Sequence, residues 1–270
     1  VGEQARLTDV ASGDRRLGRD RRPVGDVLLD LGLDGAHQRL DLETRRRVVV
    51  DLLDEAGLRP DVVELLFTGA DHGIQGGVEH DYQWSFALDD ILRDDVLLAY
   101  EVNGQPLPPQ HGYPIRLLVP DWYGMCSVKW LQRITAIAEA SNAFQLSAYQ
   151  LRQEEGGPGT RVTRKSPRAL MLPPGFSDFP ARQRYVDAGT CELTGRAWSG
   201  WGHIARVEIS DDGGATWSDA ELGSAPPSPS SWRPWSFDWG AVRGEHELLV
   251  KATDEAGNVQ PVDPSWNYGG

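Results

Sequence analysis

Apolar and polar positions follow two different rhythms along this 270-residue chain. In the first sixty residues, "VGDVLLDLGL" (24–33) and "ETRRRVVVDLLDEAGLRP" (43–60) carry apolar residues at helical spacing. The second ends on Gly57 and a following proline, so two helices are predicted. From residue 61 the runs shorten and favour strands. "DVVELLFTGADHG" (61–73) reads as a buried strand running into a turn at Gly69–Gly73. "DVLLAYEVNGQPL" (95–107) reads as a strand ending in an Asn103-Gly104 turn, and "YPIRLLVP" (113–120) as another strand. "SVKWLQRITAIAE" (127–139) fits strand or helix by pattern, and its β-branched residues favour strand. Residues 152–180, rich in Gly, Pro and Arg, read as an irregular linker. Beyond them short runs and turns alternate at intervals of about ten residues, the spacing of a β-sandwich. The boundary is placed near residue 172.

Composition narrows the partners. With 40% apolar and 25% charged residues the chain reads as a soluble globular protein. A net charge of -13 argues against nucleic acid, because neutralising phosphates needs a basic field. No apolar run approaches the ~20 residues of a membrane helix, and the N-terminus shows no apolar signal-peptide core, so no membrane partner is expected. The compartment stays open. Two cysteines are too few for a disulfide framework or a cysteine-only metal site. Residues 1–47 stand apart: they hold ten of the 24 arginines, nine acidic residues and no aromatic residue, so they are nearly neutral and the whole negative excess lies beyond them. Such a segment has little from which to build a core.

Candidate chemistry concentrates in "EVNGQPLPPQHGYPIRLLVPDWYGMCSVKW" (101–130), where an acidic protein gathers His111, Arg116 and Lys129. Arginine for bidentate pairing, lysine as a point charge, and the N–H groups and hydroxyl of Ser127–Lys129 suit a phosphate or other oxyanion. Three unrelated surface cations remain the alternative. Asp71 and His72 follow a buried strand, where functional loops often begin, or else form an aspartate-held turn. His80 and Asp81 are too isolated to make a metal site. "SDDGGATW" (210–217) matches the Asp-box of sialidases and related propellers but occurs once, so it reads as a structural hairpin with Asp212 capping the turn and Trp217 beneath it. Neither Cys126 nor Cys191 has the surroundings of an activated nucleophile.

The segment 95–134 closely resembles the molybdopterin-binding domain of the sulfite oxidase family. It carries the family's LLAY-x-x-N-G-x-x-L, HG-x-P-x-R, V-P and SVKWL features, and "VELLFTGADHG" extends the match backward. "GRAWSGWGHIARVEISDDGGATWSDAEL" and "KATDEAGNVQPVDPSWNYGG" resemble the family's Ig-like dimerisation domain and its end. The resemblance implies an α+β protein: a partial, mixed sulfite-oxidase-type molybdopterin-binding domain over 48–171, then an Ig-like β-sandwich over 172–270, with 1–47 a divergent or disturbed segment. It also implies a molybdenum–molybdopterin cofactor bound by Asp71, His111, Arg116, Ser127, Val128 and Lys129. Tyr149 lies near the position of the family's active-site tyrosine, and Arg168 matches a substrate-side arginine. The implied reaction is two-electron oxidation of a small oxyanion such as sulfite, with a separate electron acceptor, no haem domain in this chain, and a homodimer built through the C-terminal domain.

The family's metal-ligating cysteine, in a C-x-G-N-type motif, and its R-N-H-type arginine have no counterpart in residues 1–47. No protein metal ligand is therefore assigned, and impaired activity is expected. Two rivals are a non-catalytic cofactor-binding or dimerisation module and a sugar-binding sandwich.

Overall fold

The computed structural model describes residues 27–30, 49–50, 53, 56–181, 183–263 and 266–268. They divide into two units: Val1–Pro120 with Gly124–Val162, and Asp121–Tyr123 with Thr163–Gly270.

The first unit is organised by an antiparallel sheet of four strands, in the order β1 (Val27–Asp30), β8 (Leu131–Ile137), β2 (Glu64–Gln75) and β3 (Val78–Ala87). Leu65 and Phe67 alternate inward on β2, opposite Phe86 and Trp84 of β3, and all four are fully buried. Phe67 and Phe86 meet edge to face at 5.8 Å. Burying each such side chain contributes about 1.5–3 kcal/mol.

The strand reading of 127–139 holds in β8. Three other expectations change. The helix expected over 24–33 is instead strand at Val27–Asp30, paired with Arg133–Ala136, because an available sheet edge outweighs a short segment's weak helical spacing. The turn expected at Gly69–Gly73 is not there: β2 continues through it with a shift of register between Thr68 and His72, and reverses at Gly76–Gly77. The single strand expected over 95–107 is divided. β4 (Leu97–Ala99) pairs with β7 (Arg116–Leu118), while β5 (Glu101–Val102) and β6 (Gln105–Pro106) form a hairpin around Asn103-Gly104. Two further short strands, β9 (Gln150–Leu151) and β10 (Thr160–Arg161), pair with each other.

Within the predicted helix 43–60, the described residues Val49, Val50, Leu53 and Ala56 are helical. The Gly57 N–H closes the last turn onto the Leu53 carbonyl. Residues 1–26 and 31–48, on which the reading of a divergent N-terminal segment rests, lie outside the described residues.

The second unit has two antiparallel sheets. One runs β11 (Arg168–Met171), β14 (Gly189–Trp198), β18 (Arg233–Ala241), β17 (Glu221–Leu222); the other runs β16 (Ser218–Asp219), β15 (Ile204–Ser210), β19 (Leu249–Asp254). A small hairpin joins β12 (Phe176–Asp178) to β13 (Gln183–Tyr185). Leu193, Val207, Ile209, Trp235, Trp239 and Ala252 form a common core. Thus part of the stretch read as a linker is regular: Arg168–Met171 pairs with Gly195–Trp198, and its backbone groups are satisfied there. The described residues are mostly β, with helices limited to short segments such as Leu88–Ile91 and Phe144–Ala148. No described helix is long and apolar enough to cross a membrane.

Candidate cofactor-binding site

In the first unit, Pro109–His111 forms a 3-10 turn that ends at Gly112 in the left-handed region, with φ of 102°. Three successive carbonyls of this turn each receive a side-chain donor. The Trp130 indole donates to Pro109 O at 2.8 Å, the Lys129 ammonium to Gln110 O at 3.1 Å, and Arg116 Nη1 to His111 O at 3.1 Å. The second fork nitrogen of Arg116 donates to Ser127 O at 3.1 Å, so one guanidinium ties both turns together. Backbone bonds from Leu117 N to Val128 O and from Leu131 N to Ile115 O run alongside.

Two glycines permit this closeness. A Cβ on Gly112 would stand 3.0 Å from Lys129 Cβ and 3.1 Å from Arg116 Cβ. A Cβ on Gly69 would meet Lys129 O at 2.6 Å. The Gly69 contact is shorter than real Cβ atoms make, and at Gly112 a tight approach is joined to a φ of 102°, so glycine is favoured at both positions. Next to Gly69, the Ala70 N–H donates to Trp130 O at 2.8 Å, which fixes where Asp71 follows.

Ser127 is more occupied than its sequence context suggests. Its hydroxyl accepts from Val119 N at 3.1 Å and its own N–H donates to Gly124 O at 3.1 Å. Val128 is fully buried. Burial lowers the Arg116 pKa, yet a guanidinium remains charged at neutral pH.

Asp71, His72, His80, Tyr82, Phe144 and Tyr149 border a cavity of about 370 Å³. The His80 ring stacks on Phe144 at 3.9 Å and bonds through Nδ1 to Val78 O, which makes Nδ1 the donor. The Tyr82 hydroxyl donates to Met125 O at 2.7 Å. Burial pushes the Tyr82 phenol well above its ordinary pKa, with Tyr149, Cys126 and Asp71 adding to the effect. Trp84 lies 6.1 Å from the Tyr149 ring. On the same hairpin His72 sits between Asp81 (2.8 Å) and Glu79 (3.0 Å), whose hydrogen bonds raise its pKa.

The predicted residues therefore fall into three places. His111, Arg116, Ser127, Val128 and Lys129 share the double turn, whereas Asp71 and Tyr149 share the cavity. Arg168 starts β11 in the second unit, exposed. Asp81, read as isolated, is instead bonded to His72.

Cys126 is fully buried and its pKa is pushed up to about 12, so it is a thiol at neutral pH rather than a thiolate. Cys191 lies on β14. Among the described residues no group of three or more His, Cys, Asp and Glu is placed to hold a metal ion. Sequence reasoning did not single out Tyr82 or Trp130. Tyr82 had a signal, since it shares the inward face of β3 with Trp84 and Phe86. Trp130 had none, because nothing in the residue order tells where an indole N–H will point.

Residues 48–145 match the family model of the oxidoreductase molybdopterin binding domain, and residues 179–270 match that of the Mo-co oxidoreductase dimerisation domain. The chain is 35% identical over 241 residues to the mitochondrial sulfite oxidase of Rattus norvegicus, covering 82% of this chain and 42% of that protein. It is 38% identical over 190 residues to the mitochondrial sulfite oxidase of Homo sapiens, covering 65% and 34%. The NAD(P)H nitrate reductase of Hordeum vulgare is 31% identical over 198 residues, covering 65% and 22%. Among solved structures, the sulfane dehydrogenase SoxCD of Paracoccus pantotrophus superposes with a TM-score of 0.65 at 31% identity, covering 79% of this chain and 52% of that one. The chain spans less than half the length of these curated relatives. Two family models in tandem, together with these relatives, place the double turn inside a molybdopterin-binding domain: the chain belongs to the sulfite oxidase family of molybdopterin-dependent oxidoreductases.

Proposed function

We propose that this chain holds a molybdenum–molybdopterin cofactor for the two-electron oxidation of a small oxyanion such as sulfite, with a separate electron acceptor. The observation that carries the reading is the convergence of Trp130, Lys129 and Arg116 on one turn, packed closely against Gly69 and Gly112. The donor chemistry fits the phosphate-bearing end of the group. The Lys129 ammonium gives one of three N–H donors to Gln110 O, and the exposed His111 imidazole stands on the same turn. Arg116 and Lys129 supply positive charge there, with Ser127 and Val128 shaping the wall. The Asp71 carboxylate can accept from N–H groups of a pterin-type heterocycle. Tyr149 borders the same cavity, and a phenol can donate to an anion. When bound, the cofactor supplies oxygen-atom transfer. Arg168 is assigned to holding anionic substrate, and the second unit to an Ig-like sandwich that pairs with a second copy, a reading supported by the dimerisation-domain match.

A second reading is favoured by one observation: Cys126, buried and protonated, is unsuited to ligate a metal. On that reading the chain binds cofactor and dimerises but turns over poorly. Arg116→Ala and Lys129→Ala each remove a charge-assisted contact of about 1.5–3 kcal/mol, so the purified variants are expected to lose at least about tenfold in molybdopterin retention. Parental retention in both would overturn the cofactor assignment. Sulfite oxidation per bound molybdenum separates the two readings, and Cys126→Ser is expected to leave it unchanged.

A further inference from the structure

Trp130 behaves unlike the tryptophans that pack cores. Trp84 is fully buried and its indole nitrogen has no hydrogen-bond partner. Trp130 is only half-buried, and directional contacts hold it instead. Its N–H donates to Pro109 O at 2.8 Å, its carbonyl accepts from Ala70 N at 2.8 Å, and its ring face carries the Lys129 ammonium 4.5 Å from the centroid. It does so from a left-handed backbone, φ of 47°, a region that residues with a Cβ populate sparsely. Such a conformation persists where surrounding contacts over-determine it, and it is found most often at functional sites.

Lysine has a flexible four-carbon stem, and leaving its ammonium free would cost rotamer entropy each time an anion is bound. Here the ammonium is held between the indole face and Gln110 O, at 4.5 and 3.1 Å. The indole N–H meanwhile anchors the same turn one residue earlier, at Pro109. Both ends of the Lys129 contact are thus fixed by one ring.

We infer that Trp130 is a positioning residue of the cofactor site, acting through Lys129: its ring face orients the ammonium and its N–H holds the turn that the ammonium also binds. This rests on the proposed role of Lys129 in holding the cofactor. A role confined to folding would act on stability whether or not position 129 carries charge. A positioning role disappears when the charge does.

The test uses the full chain with Trp130→Phe and Trp130→Leu, each made in the parent and in a Lys129→Met background. Molybdopterin content after purification is measured beside the thermal midpoint. Losing both ring contact and N–H bond in Trp130→Leu is expected to lower cofactor retention about tenfold in the parent. Trp130→Phe keeps an aromatic face and is expected to lose about threefold. In the Lys129→Met background both losses shrink below about twofold. Equal losses in the two backgrounds would overturn the inference and leave Trp130 a folding residue. If Trp130→Leu does not fold, the Trp130→Phe pair decides by the same criterion. Lys129→Met retaining the parental cofactor content would instead overturn the proposed role of Lys129 itself, a result separable from the first.

Discussion

Two turns in this molecule use opposite chemistry to hold a backbone bend. In the second unit, the Asp-box hairpin is built around an anion. Asp212 accepts from the Ser210 hydroxyl, from Thr216 N at 2.8 Å and from the Thr216 hydroxyl at 2.7 Å, while the Trp217 indole donates to Gly214 O. In the first unit, the turn at 109–112 is built around cations that donate to carbonyls. The difference lies in what is left over. A carboxylate that accepts three local bonds has little capacity for anything outside the hairpin, whereas an ammonium giving one of its three protons to a carbonyl keeps two. A closed turn is a structural device; a turn with surplus donors of one sign can also bind.

The sharpest way to break this contrast is to disturb the cation turn's backbone. Gly112→Ala places a Cβ against Lys129 and Arg116 at a φ of 102°, and about 1–3 kcal/mol of stability should be lost, with cofactor retention falling alongside. Calorimetry and molybdopterin content on one preparation would report both. A smaller effect is expected of Tyr82→Phe, which removes the bond to Met125 O just ahead of Ser127–Lys129 and should cost about 0.5–1.5 kcal/mol. Retention is again the measurement that matters, because a change in thermal midpoint alone would assign Tyr82 to the core.

The Asp-box should respond to acid and to nothing at the cofactor site. Hydrogen bonds from Thr216 and Ser210 hold the Asp212 pKa down to about 2, from an ordinary value of 3.8. Its contribution is therefore present above about pH 4 and is lost as pH falls through about 2. Asp212→Asn should flatten acid unfolding of the second unit in that window, followed by tryptophan fluorescence, with molybdopterin content unchanged. The smallest effect belongs to His72, whose pKa is raised by Asp81 and Glu79. Its stabilisation is present below pH ~6.5 and fades as pH rises through the higher folded value, so His72→Gln should remove a weak alkaline-side slope of stability.

Much of the first unit's double turn was legible because its residues are close in sequence. His111, Arg116 and Lys129 fall within twenty positions, and a short strand between two turns brings them together with little choice. What escaped was directional: that Arg116 would give its fork to His111 O and Ser127 O, and that Ser127 would use its hydroxyl on Val119 N, depend on backbone geometry rather than residue type. The fold was legible where β-branched residues recur, as in Leu131–Ile137. It was misread where pairing outranks local preference, as at Val27–Asp30, and where glycines sit inside a bulged strand, as at Gly69–Gly73. Arg168 shows another limit: a motif match assigns a role from one position at a time and says nothing of the unit that position joins.

The path of the chain constrains how such a protein can be rearranged. Asp121–Tyr123 are counted with the second unit, although the residues on both sides belong to the first. Tyr123 N donates to Thr163 O, Lys165 N donates to Asp121 O, and Ser230 bonds the Asp121 carboxylate. No single cut therefore divides the gene into two self-sufficient cassettes. A C-terminal piece beginning at 163 would lack three residues that its own loops are bonded to, and an N-terminal piece ending at 162 would carry them without those bonds. An exchange of these halves at one crossover near 162 separates Asp121 and Tyr123 from their bonded partners at 163, 165 and 230.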